Sequence, residues 1–243
     1  MTRAPEVSVV IPVYNEAAFL GGAVAELCAR LPSLGRTYEI VLAENGSTDA
    51  TAAIARALAR ERPALRALSV PGPDYGRALR EGILAARGEY VLCDEIDIGD
   101  LDFHRRALAL LEAGAADFVV GSKLLADSRD ERPLFRHAAS LVYSGLLRLA
   151  LGFRGTDTHG LKAFRRDAVG PVVRACRLSR DVFASELVLR AERAGLRVVE
   201  TPVRLREKRP PSIRLLKRVP AVLRQVALLA IMLRLEGRPR GRP

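Results

Sequence analysis

Five short apolar runs, each followed by a polar turn and a helix-length stretch, limit what this chain can fold into. The runs fall at residues 7–11, 39–43, 65–70, 90–93 and 118–121. Helices are expected at 16–31, at 48–60 with Ser47 as cap, at 75–86 and at 101–113. Runs that are apolar nearly throughout, rather than at alternate positions, belong to strands buried on both faces. The alternation therefore predicts an α/β fold: a Rossmann-like, mostly parallel sheet with helices on both faces. Right-handed crossovers then gather the loops after the strands along one edge, where ligands bind.

The rhythm changes after Pro133. A helix is expected at 134–151, then a polar turn, Gly155-Thr156-Asp157-Thr158-His159-Gly160, leading into a strand at 161–164. A helix at 182–194 stops at Gly195, and a strand at 197–201 precedes Pro202. Pro210-Pro211 is the clearest boundary. It divides the chain into a domain at 1–209 and a basic amphipathic helical tail at 210–243.

Charge follows the same division. From Arg204 onward there are twelve Lys/Arg and two Glu, a balance of +10 within a total of +11. Leu215, Val219, Val222, Leu223, Val226, Leu229, Ala230 and Leu233 share one face of the tail helix, and Arg214, Lys217, Arg218, Arg224 and Gln225 the other. Such a helix can lie in an anionic membrane interface, or pack on its own domain with a solvated basic face. Its longest apolar run is far short of a membrane span. With 49% hydrophobic and 28% charged residues, the chain is not a disordered, collagen-like or disulfide-scaffold protein. Cys28, Cys93 and Cys176 lie far apart with no zinc-ligand spacing, and no signal-peptide pattern precedes the first strand. A reducing, cytoplasmic location is expected.

Three features carry chemistry. The first strand runs Val-Val-Ile-Pro-Val-Tyr-Asn-Glu, with Pro12 expected to stop it and polar residues beyond. The second ends Leu-Ala-Glu-Asn-Gly-Ser-Thr-Asp, with Glu44 at the strand end and a turn at Gly46. Two such ends side by side form a ligand cleft. The third is the acidic cluster Asp94-Glu95-Ile96-Asp97-Ile98-Gly99-Asp100. Clustered carboxylates at a strand end need a counter-charge, and Mg²⁺ or Mn²⁺ bridging to substrate phosphates suits them. Glu95 and Asp97 are the expected metal ligands. Asp100 and Asp102 are read as charges favoured at a helix start. His104 and His137 are expected on helix surfaces, and His159 either contacts an acceptor or sits solvated in its turn.

Taken together, Ile-Pro-Val-Tyr-Asn-Glu, Glu-Asn-Gly-Ser-Thr-Asp-Ala-Thr and Gly-Glu-Tyr-Val-Leu-Cys-Asp-Glu-Ile-Asp resemble a family 2 glycosyltransferase of GT-A fold. Gly121-Ser122-Lys123 and Asp157-Thr158-His159-Gly160-Leu161-Lys162-Ala163-Phe164 are similar to the dolichyl-phosphate mannose synthase-like branch. The resemblance spans about residues 7–206. It implies that Pro12, Tyr14, Glu16 and Glu44 line a nucleotide site. Glu95 and Asp97 take the places of the family's Asp-x-Asp, with Asp94 as an alternative first ligand. Lys123 would face phosphate, and Arg132 and Arg136 would meet the acceptor phosphate. Phe183 and Glu186 match a stretch near the acceptor. The chain departs from the usual pattern at Glu44-Asn45, at Glu95 and at His159-Gly160-Leu161.

The expected activity is inverting, metal-dependent transfer of a sugar from GDP-mannose or a UDP-hexose to a polyprenyl or dolichyl phosphate. It would act at the inner face of the cell membrane. Asp97 is central to it. Asp181 or Glu186 would act as base if the acceptor were instead a soluble or envelope hydroxyl, the alternative reading. A non-catalytic nucleic-acid-binding role fits poorly: the charge is confined to the tail, and 5% aromatics show no stacking pattern.

Overall fold

The computed structural model describes residues 4–96, 99–131, 133–205 and 215–237. Strands β1 (Val7–Val13), β2 (Tyr38–Glu44), β3 (Leu65–Ser69) and β4 (Tyr90–Cys93) alternate with helices α1 (Leu20–Arg30), α2 (Thr51–Glu61) and α3 (Tyr75–Ala85). Then come α4 (Leu101–Glu112), β5 (Phe118–Ser122), β6 (Arg129–Asp130), α5 (Leu134–Leu151), β7 (Lys162–Arg165) and α6 (Arg166–Ala175). The chain continues through α7 (Phe183–Arg193), β8 (Val198–Pro202), β9 (Arg204–Leu205) and α8 (Leu215–Leu235). Seven strands form one sheet in the order β3-β2-β1-β4-β7-β5-β8, and β6 pairs with β9 beside it.

The expected α/β sheet is present, with one inversion. Strand β7 runs antiparallel to both neighbours, β4 and β5, while every other pair in the main sheet is parallel. Pleating divides the core in two. Val7, Val9, Ile11 and Val13 of β1 pack with α1, α2 and α4 residues such as Val24, Leu58 and Phe103. Val10 points the other way, into a cluster with Leu79, Val173, Phe183 and Leu187 of α3, α6 and α7.

Several expectations shift. Pro12 does not end β1, which runs on to Val13. Val10 O accepts from Asp94 N and Val13 O from Asn45 N, so the edge of Pro12 faces β4 beyond its last paired residue, and no ladder bond is lost. Helix α1 begins at Leu20 rather than residue 16, and α2 at Thr51 rather than 48. Ser47 caps nothing there; its Oγ accepts the Asn15 N–H instead. Helix α6 was hidden by Gly170-Pro171, and buried Val169, Val172 and Val173 hold it in place. His104 is not on a surface but fully buried, and His137 is half-buried.

The tail helix α8 puts Val226, Leu229 and Leu233 into the second core cluster. Its end is pinned by Arg190, which donates to both Glu236 carboxylate oxygens at 2.6 and 3.0 Å. Val219 and Leu223, on the same expected face, are exposed. No helix among the described residues is long and apolar enough to cross a membrane.

Candidate active site

The β1–α1 and β2–α2 loops are laced together. Asn15, in the left-handed region at φ 53°, donates its N–H to Ser47 Oγ at 3.0 Å, and its Oδ1 accepts Thr48 N–H at 2.8 Å. Glu16 N–H reaches Thr51 Oγ1 at 2.6 Å, and Ala17 N–H reaches Asp49 Oδ2 at 3.1 Å. Gly46 turns at φ 65°, and a Cβ there would stand 2.7 Å from Gly72 N. Glu44 is buried, accepting Ser47 N–H at 2.6 Å, while Asn45 Oδ1 accepts Asp74 N–H at 2.7 Å. Pro12, Tyr14, Glu16 and Glu44 thus lie on two adjacent strand ends. Glu44 is occupied with its own turn, and Tyr14 is 40% exposed.

Beyond β4 the acidic loop folds around Asp94, which is 2% exposed. Its Oδ1 accepts Glu95 N–H at 2.7 Å and Gly99 N–H at 3.3 Å, and its Oδ2 lies 3.2 Å from His104 Nε2. Asp94 is therefore spent on the loop, and the neighbouring Glu95 is half-buried. Asp97 lies outside the described residues. Among the described residues no three His, Cys, Asp or Glu gather as a metal set. The available donors are hard carboxylate oxygens, which fit Mg²⁺ or Mn²⁺. Asp100 does cap α4, accepting Phe103 N–H at 3.0 Å, and its other oxygen accepts Arg204 N–H at 2.9 Å. Burial pushes the Cys93 thiol up to about 12, so it stays protonated.

The opposite wall is built by the turn at 155–160. Glu200 accepts Thr156 N–H at 2.6 Å and Asp157 N–H at 3.0 Å. Lys123, buried, donates to Asp157 Oδ2 at 2.6 Å. Burial alone pushes the Asp157 carboxyl up, but the Lys123 ammonium and the His159 N–H outweigh it and hold it below the usual range. A Cβ at Gly160 would overlap the carbonyl oxygen of Gly121, so only glycine fits. His159 Nε2 meets Asp181 O at 2.9 Å, and its ring stands edge-on to Tyr143 at 5.1 Å.

Lys162 was not assigned a role from the sequence, although a lysine opening a buried strand was the available signal. The reversal of β7 brings its first residue level with Cys93 on one side and Val120 on the other. Lys162 is 3% exposed and donates to Gly160 O at 2.7 Å; burial lowers its pKa. It stands between the acidic loop and the turn at 155–160.

Two expectations change. Lys123 is turned to Asp157 rather than left open for a phosphate. Glu186 is fully buried and accepts Arg177 N–H, Leu178 N–H at 2.7 Å and Arg190 Nε at 2.7 Å. Its oxygens hold the α6–α7 connection, so it is no base. Asp181 lies half-buried in a 3-10 turn beside His159, and Arg136 lies half-buried in the first turn of α5. Arg132 lies outside the described residues.

Residues 8–170 match the model of the family described as Glycosyl transferase family 2. The chain is 34% identical over 203 residues to glycosyltransferase AglD of Haloferax volcanii, covering 82% of this chain and 32% of that one. It is 31% identical over 207 residues to undecaprenyl-phosphate 4-deoxy-4-formamido-L-arabinose transferase of Edwardsiella ictaluri, covering 83% and 60%. Over 219 residues it is 31% identical to dolichyl-phosphate beta-glucosyltransferase of Drosophila melanogaster, covering 83% and 67%. The first two relatives are thus much longer than this chain. Mannosyltransferase PcManGT of Pyrobaculum calidifontis, solved with GDP-Man and Mn²⁺, superposes with TM-score 0.62 at 22% identity, covering 100% of this chain and 67% of that one. That likeness concerns the fold, and the fold is GT-A. With most of its length inside the family model, the chain belongs to the family 2 glycosyl transferases.

Proposed function

We propose that this chain transfers a hexose from a nucleotide sugar, bound with a divalent cation, to a polyprenyl phosphate at a membrane surface. The observation that carries the reading is the convergence at one sheet edge. The laced loops carrying Tyr14 and Glu44, the acidic loop after β4, and Lys162 at the reversed β7 all meet there. The names of the relatives, undecaprenyl-phosphate and dolichyl-phosphate sugar transferases, support the acceptor class.

Glu95 and Asp97 would hold Mg²⁺ or Mn²⁺, which supplies Lewis-acid stabilisation of the departing nucleoside diphosphate. The laced loops present Tyr14 to the nucleotide and fix the cleft width. Lys162 sets a positive charge between the acidic loop and the acceptor side, which lowers the cost of bringing a second anion there. A phosphate acceptor is already anionic near neutral pH, so it needs cations rather than a base; Arg136 and Arg132 are placed in sequence to supply them. A hydroxyl acceptor would call on Asp181.

Membrane contact is supported by two helices that pack together, α5 and α8. Ten of the thirteen large exposed hydrophobics among the described residues lie on them, including Leu134, Phe135, Leu223 and Ile231. Neither helix contains an acidic residue, while α5 carries Arg136 and Arg148 and α8 carries Lys217, Arg218, Arg224 and Arg234. Apolar side chains among cations suit an anionic lipid interface.

The test incubates the purified chain with labelled nucleotide sugars and a polyprenyl phosphate, with Mn²⁺ or with chelator. Metal-dependent label in the organic phase is expected from one donor, and Asp97→Ala is expected to abolish it without lowering the melting temperature. Transfer to a water-soluble acceptor alone would overturn the acceptor, and an active Asp97→Ala the cation assignment.

A further inference from the structure

We propose that His104 is a positioning residue for the acidic loop. From α4 it holds Asp94, and through Asp94 it holds the backbone that presents Glu95 to the cleft. The inference rests on the reading of that loop as the cation-binding side of the site.

The geometry is a clamp with three levels. Asp94 Oδ1 spans the loop, taking the N–H of Glu95 at its start and of Gly99 at its end. Asp94 Oδ2 is buried against α4, where His104 Nε2 stands 3.2 Å off. The imidazole is fully buried, edge-on to Phe103 at 5.9 Å. Helix α4 is fixed by the Asp100 cap, and Asp100 also accepts Arg204 N–H. The loop therefore leans on a helix that is tied at its own N-terminus.

A histidine is a poor choice for packing at this place. Neither ring nitrogen has an aligned hydrogen bond, and Asp94 Oδ2 has none. Buried polar atoms without aligned partners are rare, because an apolar side chain of the same size would fill the space at less cost. What the imidazole adds is a dipole against a buried carboxylate oxygen of the loop. Moving Asp94 would release the Glu95 and Gly99 N–H groups together. Partners one step behind a ligand characteristically change metal affinity about 10–100-fold when removed.

The experiment compares His104→Phe, which keeps ring volume without a polar atom, with His104→Gln, which keeps an N–H donor. Amide exchange of the full chain is followed at residues 95–99, and Mn²⁺ binding by loss of its free electron-spin resonance signal. For His104→Phe the expected result is faster exchange at 95–99, with β4 and the rest of α4 unchanged. The Mn²⁺ half-saturation should rise about tenfold, and kcat should fall more than the donor KM changes. His104→Gln should restore most of the protection and the affinity. Unchanged exchange at 95–99 in a folded His104→Phe protein would overturn the proposal, as would an equal loss of protection throughout the core. If His104→Phe does not fold, Asp94→Ala at the sheet edge decides. It must expose the 95 and 99 amides, and wild-type protection there overturns the clamp. A wild-type chain that takes up no Mn²⁺ would refute the cation assignment, while the exchange data still decide the clamp.

Discussion

At the residue scale, the strand-end polar groups were legible because a strand end exposes them whatever the rest of the chain does. Tyr14, Glu44 and the acidic cluster could be placed from the local pattern alone. The tasks of Lys123, Glu186 and His104 could not, since each depends on a partner brought in by the fold. Lys123 meets Asp157 thirty-four positions away, and Glu186 is claimed by the backbone at Arg177 and Leu178. The Lys123–Asp157 pair has a pH signature. The Asp157 carboxyl is held below its ordinary value when folded, so its contribution to stability is fully present above the unfolded carboxylate value of about 4. That contribution is lost as pH falls through the folded value. Thermal melts from pH 7 to pH 2 should show a steeper acid limb for wild type than for Asp157→Asn. Equal limbs would mean that the pair carries no net stabilisation.

At the element scale, strands buried on both faces read clearly, and β4 and α5 begin and end where the apolar runs predict. The reversed direction of β7 had no local signature, because a four-residue run, Lys-Ala-Phe-Arg, carries no sign of its sense. Helix α6 was masked by a Gly-Pro pair that tertiary packing overrides. Helix α8 serves two surfaces. Leu229 is fully buried among Phe183 and Leu187, whereas Leu223 is 48% exposed. Leu229→Ala should cost about 2–4 kcal/mol in denaturant unfolding. Leu223→Ser should stay within about 0.5 kcal/mol, yet weaken binding to vesicles rich in phosphatidylglycerol. Vesicle binding unaffected by Leu223→Ser would remove α8 from the lipid-facing surface.

At the scale of the whole molecule, β7 decides when the sheet is complete. It is a four-residue wedge between β4 and β5, with Phe164 stacked on Phe118 at 5.2 Å. Until residues 162–165 are joined, β4 and β5 each present an unpaired edge, the kind of surface that sticks to other chains. A fragment of residues 1–150 should therefore precipitate or fail to show cooperative melting, while residues 1–237, which add β7, β8 and α8, should fold. A soluble, cooperatively folded 1–150 fragment would contradict this order of assembly. During synthesis from the N-terminus, the β1–β4 side of the cleft emerges first, but it stays open to neighbouring chains until β7 arrives. The same strand that carries Lys162 into the cleft thus times the birth of the site.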